Sequence, residues 1–161
     1  MKSKISPCLW FDHQAEEAAR FYTTIFKHSK ITAISHYGEA GKEQHGRPPG
    51  SVMTVAFELN GQSFTALNGG PHFKFNEAIS LQIECENQDE VNYYWQKLTA
   101  VPEAEMCGWV KDKFGLSWQV VPKILPKLLA DPNTAKSQRA MQAMMKMKKL
   151  NIAALQRAFA G

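Results

Sequence analysis

The sequence predicts an α+β chain in which a unit of one strand, one helix and three further strands (βαβββ) occurs twice, followed by C-terminal helices. Internal echoes carry the duplication. Gly61-Gln-Ser-Phe-Thr-Ala-Leu67 lines up with Gly115-Leu-Ser-Trp-Gln-Val-Val121, 54 residues on. In the same order, Ile5-Ser-Pro-Cys-Leu-Trp-Phe11 matches Ile79-Ser-Leu-Gln-Ile-Glu-Cys85, and Ala15-Glu-Glu-Ala-Ala-Arg-Phe-Tyr22 matches Gln88-Asp-Glu-Val-Asn-Tyr-Tyr-Trp95, at spacings of 74 and 73. Two echoes in the same order mark a degenerate repeat. The second observation is periodicity, which alternates between the two-residue step of strands and the 3.6-residue step of helices along each copy.

The elements follow in order. Residues 5–11 are apolar enough for a buried strand, and residues 15–26 carry Ala15, Ala18, Ala19, Tyr22, Ile25 and Phe26 on one helical stripe, with Glu16 and Glu17 at its positive end. Strands are expected over 30–37, 52–59 and 62–68, and Asn60-Gly61 between the last two is a type I′ hairpin signal. Residues 38–50, rich in Gly, Pro and charge, read as a mobile loop. After Gly69-Gly70-Pro71 a strand is expected over 78–85. A helix follows from an Asn87 cap with Glu90 three residues on, turning Val91, Tyr94, Trp95 and Leu98 inward. Residues 99–110 hold a loop and a short strand with Cys107 and Trp109. A turn over Asp112–Gly115 then feeds a strand ending at Pro122, in which Leu116, Trp118 and Val120 alternate with Ser117, Gln119 and Val121. Beyond it, Asp131-Pro132 reads as a helix start and Asn151 as the cap of a last helix, with Leu150 able to staple to Leu155. Met141, Met144 and Met145 form a helical stripe that reads as packing.

Composition narrows the function classes. The 161 residues are 44% hydrophobic and 11% aromatic, enough for a filled core. No apolar run reaches the length of a membrane span and no signal-like N-terminus is present, so a cytoplasmic protein is expected. Cys8, Cys85 and Cys107 are far apart and in no CxxC spacing, which argues for reduced thiols over a zinc cluster. The net charge of +4 resides in the tail: beyond Asp131 lie Lys136, Arg139, Lys146, Lys148, Lys149 and Arg157 with no acidic residue, whereas residues 1–131 carry 13 basic against 15 acidic groups. No aromatic residues interleave with Lys146, Lys148 and Lys149, so these charges read as a solvated face and nucleic acid is not expected as a partner.

Several motifs carry a resemblance. Leu9-Trp-Phe-Asp12, Ala15-Glu-Glu-Ala18 followed by Phe21-Tyr22, Phe57-Glu-Leu-Asn-Gly-Gln62, Phe75-Asn-Glu-Ala-Ile-Ser80, Cys107-Gly-Trp109 and Ser117-Trp-Gln-Val-Val-Pro122 are similar to the PhnB-like family, many of whose members are labelled demethylubiquinone methyltransferase-like. That family sits in the vicinal-oxygen-chelate superfamily of glyoxalases, bleomycin-resistance proteins and ring-cleaving dioxygenases. The tail Ala140-Met-Gln-Ala-Met-Met-Lys-Met-Lys-Lys149 is similar to it as well. The resemblance implies a single glyoxalase-like domain over 1–161: module one over 1–70, module two over 75–122 and a helical extension over 123–161, with curved sheets enclosing a cleft. It also implies inward-facing metal-ligand positions, which fall here at about Ser6, Thr65, Ser80 and Gln119.

None of those four is His, Asp, Glu or Cys, and neutral oxygens alone hold a divalent metal poorly. No cofactor is therefore expected, although a weakly bound divalent metal is compatible with the sequence. The leading expectation is a metal-independent small-molecule-binding protein whose pocket is lined by Trp10, Thr65, Ser80, Cys107, Trp109, Ser117 and Gln119, neutral polar groups beside aromatic rings. The alternative is a metal-dependent isomerase, lyase or dioxygenase of the superfamily that recruits its metal through His72, Glu58 or a partner subunit. A third reading makes the basic tail an interaction module. Methyl transfer is disfavoured, because no strand, Gly-rich turn and helix unit for S-adenosylmethionine occurs and Pro71 would spoil a cradle at Gly69-Gly70. Of the histidines, His13, His28, His36 and His45 read as surface residues, and His72 stands near the expected pocket. A homodimer is expected, since open sheets expose edges that pairing covers.

Overall fold

The computed structural model describes residues 4–161. The chain forms two compact units, Met1–Lys74 and Phe75–Gly161.

In the first unit, β1 (Cys8–Phe11) leads into α1 (Ala15–Ile25), then β2 (Lys30–His36), a short α2 (Lys42–His45), β3 (Val52–Leu59) and β4 (Gln62–Asn68). The sheet order is β1-β4-β3-β2, with β1 parallel to β4 and the other pairs antiparallel. The β3–β4 hairpin turns at Asn60 and Gly61, whose φ values of 47° and 82° are both positive as a type I′ turn requires. Helix α1 lays Ala15, Ala18, Ala19, Tyr22 and Ile25 on the sheet, all buried; three alanines let the backbone approach closely. Beneath them lie Leu9, Phe11, Val55, Phe57, Phe64 and Ala66, with the Phe57 and Phe64 rings stacked 5.3 Å apart. The N-terminus of α1 is capped from across the unit: Ala15 N–H donates to Asn68 Oδ1 at 2.8 Å, while Asn68 Nδ2 donates to Val52 O.

Residues 38–50, expected as a mobile loop, include the short helix α2 and are anchored at His45, Arg47 and Gly50. Tyr37 and Ser51 continue the β2–β3 ladder, the Tyr37 ring lies 4.4 Å from that of His45, and Arg47 donates to Asp12 O and Oδ1. Polar anchors do the work that apolar burial would do in a core segment.

The second unit comprises β5 (Ser80–Cys85), α3 (Gln88–Leu98), a single 3-10 turn (Pro102–Ala104), β6 (Trp109–Lys111) and β7 (Ser117–Pro122), followed by α4 (Leu125–Leu129), α5 (Thr134–Met144) and α6 (Ile152–Ala160). Its sheet has the order β5-β7-β6, one strand fewer than the first. The expected βαβββ arrangement therefore holds for the first unit, while the second is βαββ. Where the missing strand would run, Pro102 opens the 3-10 turn and the chain reverses at Cys107-Gly108, both with positive φ. Only Ala100 N–H, bonded to Lys111 O, and the Met106–Trp109 bridge remain at that edge.

The duplication is visible in the registers. In the first unit Cys8, Leu9, Trp10 and Phe11 face Thr65, Ala66, Leu67 and Asn68. In the second, Gln82, Ile83, Glu84 and Cys85 face Gln119, Val120, Val121 and Pro122. Every pair in one unit maps onto a pair in the other at the 74- and 54-residue spacings of the echoes. The helices α1 and α3 also begin 73 residues apart and each has 11 residues.

The extension packs on the second unit. Val121, Leu125, Leu128, Ala140, Leu150 and Leu155 form one buried cluster. Gln88 clamps it, donating to Leu150 O and accepting from Ile152 N–H, and the reversed chain at Cys107-Gly108 donates to Met147 O and Lys148 O. Asn151 caps α6 as expected, and Leu150 and Leu155 are both fully buried, as a staple requires. The cap of α5 is Asn133, two residues beyond the expected Asp131, whose carboxylate instead accepts from Asn133 N–H in a local turn.

Candidate functional site

Strand alternation sorts each sheet into a helix-covered face and an opposite face. In the second unit α3 covers Ile83, Cys85, Val110, Trp118 and Val120, all buried. The opposite face carries Ser80, Gln82 and Glu84 from β5, Ser117, Gln119 and Val121 from β7, and Trp109 and Lys111 from β6.

Asp112 determines which way β7 faces. Its carboxylate, 1% exposed, accepts from the backbone N–H groups of Phe114 and Leu116 through Oδ1 and from Trp118 Nε1 through Oδ2 at 2.8 Å. The first two bonds shape the β6–β7 turn, in which Gly115 takes a φ of 87°. The third holds the indole on the helix face, and with period-two alternation Gln119 must then face the other way. It does so half-buried, with Nε2 donating to Ser80 Oγ at 2.9 Å. Trp109 and Gln82 flank Gln119 directly in the ladder. Lys111, one pair along, is neutralised by Glu77, whose carboxyl it holds below the usual range.

On the corresponding face of the first unit lie Cys8, Trp10, Thr65, Leu67, Thr54 and Ala56. Trp10 Nε1 donates to Gly70 O at 2.8 Å, and its ring meets Phe73 edge-on at 4.9 Å. The same ring packs against Gly69 so closely that an added Cβ would collide with it. Gly69-Gly70 thus serves to seat an indole.

The expected pocket residues divide between the units. Ser80, Trp109, Ser117 and Gln119 share one face of the second sheet, though Ser117 is buried at 2% exposure. Cys107 sits in the preceding turn, where its thiol points to Met145 Sδ. Trp10 and Thr65 share one face of the first sheet. Two residues were missed: Cys8 and Gln82 are the direct ladder partners of Thr65 and Gln119, and the 74-residue spacing of the echo connects them.

Of the superfamily metal positions, Ser6 lies exposed ahead of β1, while Ser80 and Gln119 are bonded to each other. Among the described residues no group of three His, Cys, Asp or Glu side chains could hold a metal ion. Glu58 pairs with Lys30, and His72 is exposed beside Gly70. These donors do not fit the superfamily's metal. His45, expected as a surface residue, is half-buried and accepts from Arg47 N–H through Nδ1. The surface grooves lined by residues 39 and 41–44, and by Glu86–Gln88 with Asn151–Ala153 and Gln156, contain none of the expected pocket residues.

The sequence model of the family described as 3-demethylubiquinone-9 3-methyltransferase matches residues 3–121. Among solved structures, a Bacillus cereus protein described as a putative 3-demethylubiquinone-9 3-methyltransferase, PhnB protein, is 36% identical, with 73% of this chain and 97% of that one covered and a TM-score of 0.59. Protein PA1353 from Pseudomonas aeruginosa, 16% identical over 73% of this chain and 95% of that one at a TM-score of 0.53, shares the fold. No curated protein matches the chain.

Proposed function

Since the chain belongs to the PhnB-like family described as 3-demethylubiquinone-9 3-methyltransferase, we propose that it binds a small organic molecule, without a resident metal, on the polar face of its second sheet. The observation that carries this is the Gln119–Ser80 pair, half-buried beside Trp109 on the face that α3 leaves uncovered. A half-buried amide has four hydrogen-bonding positions, and an adjacent aromatic ring supplies the apolar contact a flat ligand needs. In the first unit, Trp10 and Thr65 offer a second polar and aromatic face.

The family description names methyl transfer, but the only Gly-Gly turn near a strand end holds the Trp10 indole and is followed by Pro71, so that activity is left out of the proposal. A homodimer remains part of it: β2 is the last strand of the first sheet, and a terminal strand is where a second copy would pair.

Native mass spectrometry of protein purified without chelators tests the proposal. A co-purified organic adduct that disappears in Gln119→Leu is the expected result. Stoichiometric metal by elemental analysis would overturn it in favour of a metal-dependent superfamily enzyme. Light scattering that gives a monomer at micromolar concentration removes the dimer.

A further inference from the structure

Resting on the binding role just proposed, we infer that the Gln119–Ser80 pair reads the amide edge of a neutral, flat heterocycle, a lactam or cyclic imide, stacked on Trp109. With Gln119 Nε2 donating one of its two N–H groups to Ser80 Oγ, the pair keeps, besides the second N–H, an unspent donor in the Ser80 hydroxyl proton and an unspent acceptor in the Gln119 carbonyl oxygen. Neither residue has another side-chain hydrogen bond among the described residues. One donor next to one acceptor complements an N–H beside a C=O. Turning the Gln119 amide over leaves the same offer with polarity exchanged: the hydroxyl then donates to Oε1, and the Gln119 amine and a Ser80 lone pair face outward. The pair therefore accepts a lactam in either orientation and also its hydroxy-imine tautomer.

Two neighbours narrow the class. Trp109 is the direct cross-strand partner of Gln119, which places the indole within reach of a ring held by the amide. Lys111, the nearest cation on that face, is engaged by Glu77, so recognition falls to neutral hydrogen bonds. Gln82, on the other side of Gln119, supplies a second amide for a further carbonyl, as a cyclic imide would present.

The test compares isocarbostyril, a bicyclic lactam, with its N-methyl derivative, which keeps the ring and carbonyl and lacks the donor. Side-chain amide and indole resonances are followed by NMR up to millimolar probe. Isocarbostyril is expected to shift the Gln119 amide and the Trp109 indole, with the N-methyl compound binding about tenfold more weakly, the usual size for one lost hydrogen bond in a partly desolvated site. In Ser80→Ala/Gln119→Leu, which removes both groups able to accept the lactam N–H, the two probes should bind alike as read at the Trp109 indole, with the fold checked by unchanged core resonances. Equal binding of both probes to the wild type, shifting the same resonances, overturns the inference and leaves the wider binding role standing. Discrimination that survives in Ser80→Ala/Gln119→Leu, or no shift with isocarbostyril, also overturns it; the wider role is then decided by the co-purified adduct.

Discussion

Asp112 is a carboxyl group with almost no water contact, accepting from two backbone donors and an indole. Removing it strands three donors at once, the Leu116 N–H and the Trp118 indole buried and the Phe114 N–H half-buried, each worth about 1–3 kcal/mol where burial leaves it unpaired. Asp112→Ala should therefore lower stability by at least about 3 kcal/mol in urea unfolding, with Asp112→Asn intermediate because one acceptor oxygen remains. A second residue-scale expectation concerns the thiols. Burial, aided by the Glu90 charge, pushes Cys85 up to about 12, whereas Cys8 is exposed. An aromatic disulfide reagent should label Cys8 in the native protein and reach Cys85 only on unfolding, as read by peptide mass. Gly69→Ala should displace the Trp10 ring and shift its fluorescence, with a stability loss of about 1–3 kcal/mol. The side on which Gln119 lies was legible from alternation alone. The role of Asp112 was not, because the sequence marks a turn there without revealing that its carboxylate reaches an indole six residues on.

At the scale of elements, the best-read segments were β3 and β4, whose observed bounds match the expected 52–59 and 62–68. A two-residue hairpin signal sets their register, and both strands alternate cleanly. The second unit was harder to read. Its missing strand depends on a 3-10 turn and a reversal through a non-glycine residue at positive φ, neither of which leaves a periodic trace. Helix α4 falls inside the expected helical extension over 123–161 but had no bounds of its own, since Pro126 in a five-residue helix reads equally as a turn. The extension's attachment yields two expectations. Leu155→Ala should cost about 2–5 kcal/mol, as for other buried leucines, and should loosen α5 and α6 together in hydrogen exchange. Deleting residues 132–161 would likewise uncover Val121, Leu125 and Leu128, so it would disturb the second unit as well as remove the basic helices. Glu105 provides a pH signature: the Thr99 hydroxyl, and then Lys148, hold its carboxyl below the ordinary range. A depressed carboxylate contributes stability that is complete above its unfolded pKa and is lost as pH falls through the folded value. Wild type should melt above E105Q at neutral pH, with the gap closing on acidification; a gap independent of pH would assign the effect to packing.

For the molecule as a whole, the match of both ladder registers to the echo spacings shows that the repeat preserved pairing geometry while side chains diverged. Cys8–Thr65 in one unit corresponds to Gln82–Gln119 in the other, and the helix face is apolar in both units. No helix among the described residues is long and apolar enough to cross a membrane. The parallel pairing of first and last strands in each unit also has a consequence for synthesis. On the ribosome β1 emerges with no ladder neighbour and must wait until β4 has been made, and β5 must likewise wait for β7. Each unit should therefore gain protease resistance in a single late step, and nascent chains stalled before residue 62 should be cut as readily at β1 as an unfolded peptide.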